Sequence, residues 1–470
     1  MLEKRRMRIV IFGTGQIYCQ QRKYLEPDKE IVVFIDNDSA KWNTYLDGVK
    51  IVSPKDVCGL EYDYIILMSM YAHEMKLQLY ALGIPQEKII HYEDFFHQFY
   101  PCKLIRYQLK GKDEREYDKK CLIICNRLGY HGGPMAAVNE AFALESVGIE
   151  AHILASDGDQ EFIDEVTKKG LTILIYKNLL RAKWCEMSFL QEYTYIIVNT
   201  VPMINCAIEI AKHRSVLFWL HDAEVSYREV AYWNDEVRRG LHNSRMKVCA
   251  VSNVAKNIFR EFYGYEEIEI LPTGIADSYA LFDKHQYDSR LQIMVIGSIF
   301  PLKGQDIFIE SFLRLPRVEQ IKTQVHIIGK IVDFQFYSEI KKMCTPSDYF
   351  LFYGEMSKEE LDMMYNSMDI LVVPSRQETM SLVAMEAMMY GKVCIVSEKV
   401  GIAEYIKNGK NGYLFTDEEN LTDILHQCIF QRENLKLLGP EARKTYLKYF
   451  TVKECGKKIS DILRETQIDK

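Results

Sequence analysis

PSRQETMSLVAMEAMMYGKVCIVS, residues 374–397, follows the apolar run DILVV and decides the fold of this chain. The apolar run predicts a buried strand, so residues 375–379 form a loop at its carboxyl end and a helix begins near Met380. Glu378 then stands just before the helix and Glu386 about two turns along it, so the two carboxylates can face one ligand. The alternative is that Glu378 is an ordinary helix-start acid and Glu386 a solvated helix residue.

The backbone of the same loop offers hydrogen-bond donors. The N–H groups of Thr379, Met380 and Ser381 lie at the predicted start of the helix, where the first amides lack intrahelical partners and the helix dipole favours negative charge. We therefore expect these three residues to bind a phosphate or a sugar oxygen.

Working outward from this stretch, the chain alternates between short apolar runs and helical patterns. Runs such as LQIMVIG, QVHIIG and VCIVS predict one α/β domain over residues 281–432, and CLIICN begins a similar domain over 121–280. Helices over 433–470 are predicted to pack back on the 121–280 domain. Ligands of doubly wound sheets bind where parallel strands end, so the loops after these strands are the predicted site.

Residues 1–100 predict a third, small Rossmann-like domain, and the charged segment 101–120 predicts a linker. IVIFGTGQIY contains a G-x-G turn at Gly13 and Gly15, and Asp36 ends the next strand, where a dinucleotide site binds ribose. Tyr18 replaces the third glycine. Two alternatives stay open: a second nucleotide or nucleotide-sugar site, or a docking domain.

The composition excludes several classes of protein. The chain has 470 residues, a net charge of −7 and a pI near 6.0, which argues against nonspecific nucleic-acid binding. Its 12 cysteines show no zinc-site spacing and predict reduced thiols. No stretch reaches the roughly 20 apolar residues of a membrane span, so we expect a cytoplasmic location.

Residues 177–190, KNLLRAKWCEMSFL, mix basic, leucine and tryptophan side chains, as interfacial helices do. One interpretation is peripheral contact with the inner face of a membrane that carries a lipid-linked acceptor. The other is an amphipathic helix packed within the protein.

Three stretches together resemble family 4 of the retaining glycosyltransferases: residues 374–397, GSIFPLKG at 297–304, and VGIAEYIKNGKNGYLF at 400–415. The resemblance covers roughly residues 121–465. It implies the GT-B fold, in which two Rossmann-like domains face each other, here preceded by the small domain. That first domain resembles units found beside sugar-modifying enzymes of bacterial surface-polysaccharide pathways.

The resemblance also implies roles at the donor diphosphate. Lys303 would stabilise the negative charge that grows as the diphosphate departs. Ser298 stands where the family usually has an arginine, which would bind the diphosphate bidentately. Either the hydroxyl suffices, or Arg376 or another base substitutes, or activity is weakened.

Further roles follow from the resemblance. Glu378 would hold donor sugar hydroxyls, Glu386 the ribose, and His221, after the strand VLFWL, the sugar from across the cleft. Gly132 and Gly133 in HGGP would line the donor phosphates or the acceptor entrance, unless they form a plain tight turn. A weaker candidate is Asn199, which ends the strand YIIVN.

No cofactor and no metal site are predicted. The D-x-D triplet at 157–159 has the form found in metal-dependent glycosyltransferases, but it lies in the domain expected to bind the acceptor and is interpreted as a loop.

The sequence thus predicts a metal-independent, retaining, hexosyltransferase-type enzyme. It would move a sugar from a nucleotide-sugar donor to a saccharide or lipid-linked acceptor, in synthesis of bacterial cell-surface polysaccharide or glycoconjugate. One alternative is a non-catalytic partner subunit that binds nucleotide sugar. Another is an epimerase or phosphorylase of the same architecture.

Overall fold

The computed structural model describes residues 6–22, 25, 29–99, 103–109, 117–242, 245–279, 290–345 and 347–468. Within these residues the chain forms three sheets, each at the centre of its own α/β domain. Neighbouring strands pair in parallel, except at two antiparallel contacts described below. The interior strands are almost entirely buried, as sheets covered by helices on both faces require.

The first domain carries a sheet in the order β3-β4-β2-β1-β5-β6, with β3 antiparallel to β4. Its strands are β1 (Met7–Phe12), β2 (Lys29–Ile35), β3 (Tyr45–Leu46), β4 (Val49–Val52), β5 (Tyr64–Leu67) and β6 (Ile89–His91). Its helices are α1 (Gln16–Gln21), α2 (Ala72–Ala81) and α3 (Tyr92–Phe99).

The second domain carries a sheet in the order β14-β13-β12-β11-β8-β9-β10-β7. Its strands are β7 (Leu104–Tyr107), β8 (Lys120–Leu128), β9 (Glu150–Gly158), β10 (Thr172–Tyr176), β11 (Tyr195–Asn199), β12 (Val216–Leu220), β13 (Met246–Ala250) and β14 (Ile268–Ile270). Its helices are α4 (Gly132–Glu145), α5 (Gln160–Lys168), α6 (Ile204–Ala211), α7 (Glu224–Val230), α8 (Asn234–Gly240) and α9 (Asn253–Tyr263).

The third domain carries a sheet in the order β17-β16-β15-β18-β19-β20. Its strands are β15 (Leu291–Ile296), β16 (Thr323–Ile328), β17 (Phe350–Tyr353), β18 (Ile370–Val373), β19 (Val393–Ser397) and β20 (Tyr413–Phe415). Its helices, with the two that follow, are α10 (Gln305–Leu313), α11 (Arg317–Gln320), α12 (Phe334–Met343), α13 (Lys358–Ser367), α14 (Leu382–Met389), α15 (Glu418–Phe430), α16 (Arg432–Tyr449) and α17 (Val452–Ile468).

The two last helices pack on different domains, so the expectation that both return to the second domain is wrong for α16. Helix α16 packs on α14 and β19 of the third domain, whereas α17 packs on α4 of the second. The chain therefore crosses twice between these domains, and the two crossings touch: Ile275 N–H donates to the Phe450 carbonyl at 2.8 Å, and Ile275 bridges Thr451. The predicted boundary at 280–281 lies outside the described residues.

The segment predicted as a charged linker contains a strand. Residues 104–107 form β7, which pairs antiparallel with β10 at the edge of the second sheet. The charged side chains of this segment obscure the strand pattern, and an edge strand needs only one paired side. Residues 110–116 of the predicted linker lie outside the described residues.

Residues 177–190 are not the helix that either interpretation predicts. They form short 3-10 turns at Leu179–Arg181, Trp184–Glu186 and Ser188–Glu192. Leu179, Leu190 and Met187 are buried in the core of the second domain. These apolar side chains therefore serve packing, and peripheral membrane contact through this segment stays a prediction. Across the described residues, no helix is both long and apolar enough to span a bilayer.

The first domain packs on the second through α3 and the strand before it. Asp94 accepts a hydrogen bond from the Trp233 indole at 3.2 Å and pairs with Arg181 at 2.6 Å. His91 packs edge-on against the Trp233 ring, with the ring centroids 4.3 Å apart. Because Arg181 and Trp233 follow β10 and β12 in the chain, the first domain covers part of the edge where strands of the second sheet end.

The second and third domains meet at a loop of residues 378–381. The Thr379 hydroxyl donates to the His221 carbonyl at 2.6 Å, and the Ser252 hydroxyl donates to the Thr379 carbonyl at 2.5 Å. Gly401 lies so close that a Cβ atom there would stand 1.9 Å from the Thr379 carbonyl oxygen. Beside it, Glu404 accepts two hydrogen bonds from Asn253, at 2.6 and 2.9 Å.

Substituting Gly401 tests this contact. We expect Gly401→Ala to push the loop off the second domain and to lower the free energy of unfolding by about 1–3 kcal/mol, the usual range for overpacking. Urea denaturation measures the loss, and hydrogen exchange at residues 378–381 should accelerate. Gly354→Ala is the matched control, since a Cβ atom there meets no atom within 4 Å. Equal stability of both variants would contradict the close packing.

Candidate active site

Lys303 and Glu378 form an ion pair where strands of the third sheet end. Lys303 Nζ lies 3.0 Å from Glu378 Oε2, and the two side chains are 27% and 16% exposed. Gly304 makes the approach possible: its φ of +67° is left-handed, and a Cβ atom there would stand 2.0 Å from the Pro374 carbonyl oxygen. The turn after β15 is thereby packed against the loop after β18.

Glu378 is fixed in place through both its backbone and its side chain. The Ser375 hydroxyl donates to Glu378 Oε2 at 2.9 Å, and Gly401 N–H donates to the Glu378 carbonyl at 2.9 Å. A partly exposed carboxylate beside an ammonium group can accept hydrogen bonds from sugar hydroxyls while the ammonium binds an anion. The structure thus brings Lys303 and Glu378 together, and their roles at the donor stay predictions.

Glu386 lies on α14 in a separate polar cluster. Its carboxylate accepts a hydrogen bond from the Tyr365 hydroxyl at 2.7 Å and lies 3.2 Å from Lys358 Nζ. Lys358 also binds Asp362 at 2.7 Å. Burial lowers the pKa of Lys358, but the two carboxylates outweigh burial, so its pKa is raised above the usual value. The Glu386 side chain is therefore fixed by its contacts with Tyr365 and Lys358 rather than freely solvated.

The helix after Glu378 begins at Leu382, two residues later than predicted, and Ser381 is its N-cap. The amides without intrahelical partners are therefore those of residues 381–384, which include the predicted Ser381 but not Thr379 or Met380. Thr379 and Met380 are instead used between the domains: Thr379 through its hydrogen bonds, and Met380 by packing against the cores of both domains. Ser381 is fully buried, and among the described residues its hydroxyl has no hydrogen-bond partner.

Arg376, the candidate substitute for the missing arginine, is already paired with a carboxylate of the protein. Its guanidinium binds both oxygens of Asp306, at 2.9 and 2.7 Å, and also donates to the Pro301 carbonyl at 2.5 Å. It braces the loop that carries Lys303. Ser298 lies at the start of that loop, half-buried, and its carbonyl accepts a hydrogen bond from Gln305 at 3.0 Å.

His221 faces this loop from the second domain, directly after β12. Its Nε2 lies 3.0 Å from Glu140 Oε1, although the ring N–H is not directed along the carboxylate and the contact is not an aligned hydrogen bond. Asn199 donates to the other Glu140 oxygen at 2.5 Å. Glu140 is not among the residues that the sequence motifs predict. Its signal was a glutamate on the buried stripe of an apolar helix, four residues after Ala136 and four before Leu144.

Gly132 and Gly133 form the first turn of α4, at the end of β8. A Cβ atom on Gly133 would touch the Thr200 side chain at 3.4 Å, whereas one on Gly132 meets nothing within 4 Å. Strands β8, β11 and β12 are neighbours, so this turn shares an edge of the sheet with Asn199 and His221. A role for the glycines at the donor or acceptor stays a prediction.

In the predicted nucleotide site of the first domain, the Asp36 carboxylate already accepts hydrogen bonds from groups of the protein. Asp36 accepts hydrogen bonds from the amide and hydroxyl of Thr14, from the Asp38 amide, and from Lys41, whose Nζ lies 3.0 Å away. Burial raises the pKa of Asp36, but these bonds outweigh it and hold the pKa below the usual value. Gly13 and Gly15 precede a helix of only six residues. Nucleotide binding here stays a prediction, and the occupied carboxylate favours the docking alternative.

The D-x-D triplet lies at the end of β9 rather than in a free loop. Asp157 lies 3.7 Å from Lys177, and Asp159 pairs with Arg127 at 2.7 Å. Across the described residues, no group of three or more histidine, cysteine or acidic side chains is arranged to hold a metal ion.

Two segments of the chain match known families. Residues 280–445 match the family described as glycosyl transferases group 1. Residues 5–90 match the family described as C2185-like, N-terminal. The first match contains Lys303, Glu378 and Glu386, and the second covers nearly all of the first domain.

Curated proteins with similar sequence include two named glycosyltransferases. Sulfoquinovosyl transferase SQD2 of Arabidopsis thaliana is 31% identical over 30% of this chain and 29% of its own length. Lipopolysaccharide 1,2-N-acetylglucosaminetransferase of Salmonella typhimurium is 22% identical over 58% of this chain and 77% of its own length. The similarity to SQD2 thus spans less than a third of that protein.

Solved structures share the architecture of the second and third domains. HepE of Anabaena, solved with UDP and glucose, covers 74% of this chain and 99% of its own, at a TM-score of 0.60 and 16% identity. Sucrose-phosphate synthase of Thermosynechococcus elongatus covers 75% of this chain and 100% of its own, at a TM-score of 0.61 and 16% identity. The chain therefore has the GT-B fold, with a glycosyltransferase group 1 domain at residues 280–445 and a C2185-like domain at its N-terminal side.

Proposed function

We propose that this protein transfers a sugar from a nucleotide-sugar donor to an acceptor hydroxyl. The observation that carries the proposal is the Lys303–Glu378 ion pair, which lies where strands of the group 1 domain end and beside the loop that contacts His221. The relatives support it: the Salmonella protein is named as a lipopolysaccharide glycosyltransferase, and HepE has been solved with UDP-glucose.

The charges of the site suit the departure of a nucleoside diphosphate. In the protein alone, Glu378 balances the Lys303 charge at 3.0 Å. A bound diphosphate would compete for Lys303, and the attraction would strengthen as the glycosidic bond breaks and negative charge accumulates on the leaving oxygen. Glu378 would then turn to the hydroxyls of the donor sugar, which become more acidic hydrogen-bond donors as the ring gains positive charge.

The finer assignments belong to the same proposal. Glu386 would bind the ribose, and His221 would bind the sugar from the second domain. The transfer would retain the anomeric configuration and use a hexosyl donor without a bound metal ion. The acceptor would be a saccharide or a lipid-linked saccharide in synthesis of cell-surface polysaccharide, with the enzyme in the cytoplasm. The first domain would serve mainly for docking, because Asp36 is occupied and Asp94 binds the second domain.

A second candidate is a non-catalytic subunit that binds nucleotide sugar. The observation in its favour is that neither position 298 nor Arg376 supplies a guanidinium for the diphosphate, since residue 298 is a serine and Arg376 binds Asp306. An assay that measures donor binding and donor turnover separately distinguishes the two candidates.

Removing either partner of the ion pair should abolish turnover. We expect Lys303→Ala to lower kcat by about 100-fold or more, because the stabilisation it supplies grows in the transition state. Glu378→Ala should have a similar effect. Release of nucleoside diphosphate from a panel of UDP-, GDP- and dTDP-sugars, with and without EDTA, measures both variants.

The control is another lysine of a lysine–glutamate pair. Lys444 binds Glu441 at 2.6 Å on the surface of α16, so Lys444→Ala should leave kcat unchanged. Turnover that survives both Lys303→Ala and Glu378→Ala would place the active site elsewhere. Donor isomerisation without an acceptor would indicate an epimerase, and phosphate-dependent release of sugar phosphate a phosphorylase.

Glu386 should affect donor binding rather than the chemical step. The ribose lies away from the bond that breaks, so its contacts are equal in the ground and transition states. We expect Glu386→Gln to raise the KM for the donor about 10-fold with little change in kcat. Asp362→Asn is the control: it removes the other carboxylate from Lys358 without touching the predicted ribose site. A loss confined to kcat would contradict the ribose role.

Restoring the family arginine should strengthen donor binding. Charge-assisted hydrogen bonds contribute about 1.5–3 kcal/mol, so Ser298→Arg should lower the KM for the donor about 10-fold. Ser298→Gln, which is long but uncharged, should not. Titration calorimetry with the preferred donor checks the affinity of both variants. A Ser298→Arg variant with unchanged affinity would show that position 298 lies away from the diphosphate.

A further inference from the structure

Glu140 is a carboxylate buried in the core of the second domain. It is 0% exposed and lies on α4, where Ala137, three residues before it, and Ala141, directly after it, are also buried. Removing a carboxylate from water is unfavourable unless hydrogen bonds or charges compensate it. The polar side chains that contact Glu140 compensate its burial, and their positions in the fold therefore indicate its role.

The partners of Glu140 lie at the edge of the sheet that faces the candidate active site. Asn199 ends β11 and His221 follows β12, and these strands are neighbours. Asn199 Nδ2 holds one oxygen of Glu140 at 2.5 Å, and His221 Nε2 lies 3.0 Å from the other. The Glu140 carboxylate on α4 thus contacts two polar side chains. One of these two residues, His221, also contacts the third domain.

His221 is held from two sides. Its ring lies against Glu140 and tilts against the Trp219 ring, with the centroids 4.9 Å apart. Its carbonyl accepts the Thr379 hydroxyl, in the loop that carries Glu378. The imidazole therefore lies against a buried carboxylate, and the backbone of the same residue contacts the loop that carries Glu378.

We propose that Glu140 is a positioning residue for His221. It fixes the ring orientation and keeps the proton on Nε2, so that Nδ1 accepts a hydrogen bond from a substrate hydroxyl. Glu140 Oε1 lies 3.0 Å from Nε2 and accepts a hydrogen bond from it once the ring turns to align the contact, which requires the proton on Nε2. Asn199 assists by holding the second carboxylate oxygen. The role in turnover rests on the proposed glycosyl transfer, whereas the proton position is a property of the protein itself.

Kinetics of the full-length protein test the role in turnover. We expect Glu140→Gln to lower kcat at least about 10-fold and to change the KM for the donor by less than about 3-fold, the pattern of an interaction made in the transition state. His221→Ala should show a similar loss. The double variant should be no worse than the poorer single variant, because coupled residues are not additive. Additive losses, or an unchanged kcat for Glu140→Gln, would overturn the coupling.

A matched control exists in the third domain. Glu319 is also buried and binds a histidine, with His426 Nδ1 2.8 Å from its Oε2, far along the chain from the cleft residues. Glu319→Gln removes the same charge from a similar contact and should leave kcat unchanged. A matching loss of kcat in this control would mean that the effect of Glu140→Gln is general destabilisation.

Nuclear magnetic resonance tests the proton position without any substrate. Two-bond nitrogen–proton correlations of the histidine rings report which nitrogen is protonated, and the His221→Asn spectrum assigns the signal among the 11 histidines. We expect wild-type His221 to carry its proton on Nε2, and Glu140→Gln to increase the Nδ1–H form. A wild-type ring protonated on Nδ1 alone would overturn the proposal even if Glu140→Gln does not fold. Absent turnover together with an Nε2–H ring would instead reject only the glycosyl transfer.

Discussion

The site depends on Thr379, whose two hydrogen bonds join the domains that face each other. Its hydroxyl reaches the carbonyl of His221, and its own carbonyl receives the hydroxyl of Ser252. Because Glu378 is its neighbour in the chain, the same contact that joins the two domains also holds the backbone of Glu378 near that of His221. A glycine at 401 is the steric condition for this arrangement. The same short loop therefore joins the two domains and carries Glu378.

The two lysines of the predicted donor site are paired with carboxylates of the protein. Lys303 has Glu378, and in a separate cluster Lys358 has Glu386 and Asp362. Under the proposed function, a ligand with its own phosphate charge would compete with these carboxylates for the lysines. Such competition would favour a ligand that also offers hydroxyl groups to the released carboxylates.

Much of the arrangement could be predicted from sequence because it is local. Glu378 and Lys303 lie in short motifs at the ends of apolar strands, and parallel strands bring their ends to one edge. His221 was placed by the same rule. The remaining contacts join residues that are distant in the chain. Arg376, for example, binds Asp306, which lies 70 positions earlier, and the sequence of the Arg376 loop gives no sign of this partner. The burial of Glu140 could not be predicted, because a single acidic residue in an apolar helix is more often solvated than buried.

The paired crossings between the second and third domains limit how these domains move. The backbone passes from one domain to the other at Ile275 and back at Thr451, and the two passages are hydrogen-bonded side by side. Two adjacent tethers oppose sliding of one domain past the other. A rotation of one domain against the other about these passages would displace each atom in proportion to its distance from them. The rim of the cleft farthest from residues 275 and 451 would therefore move the most.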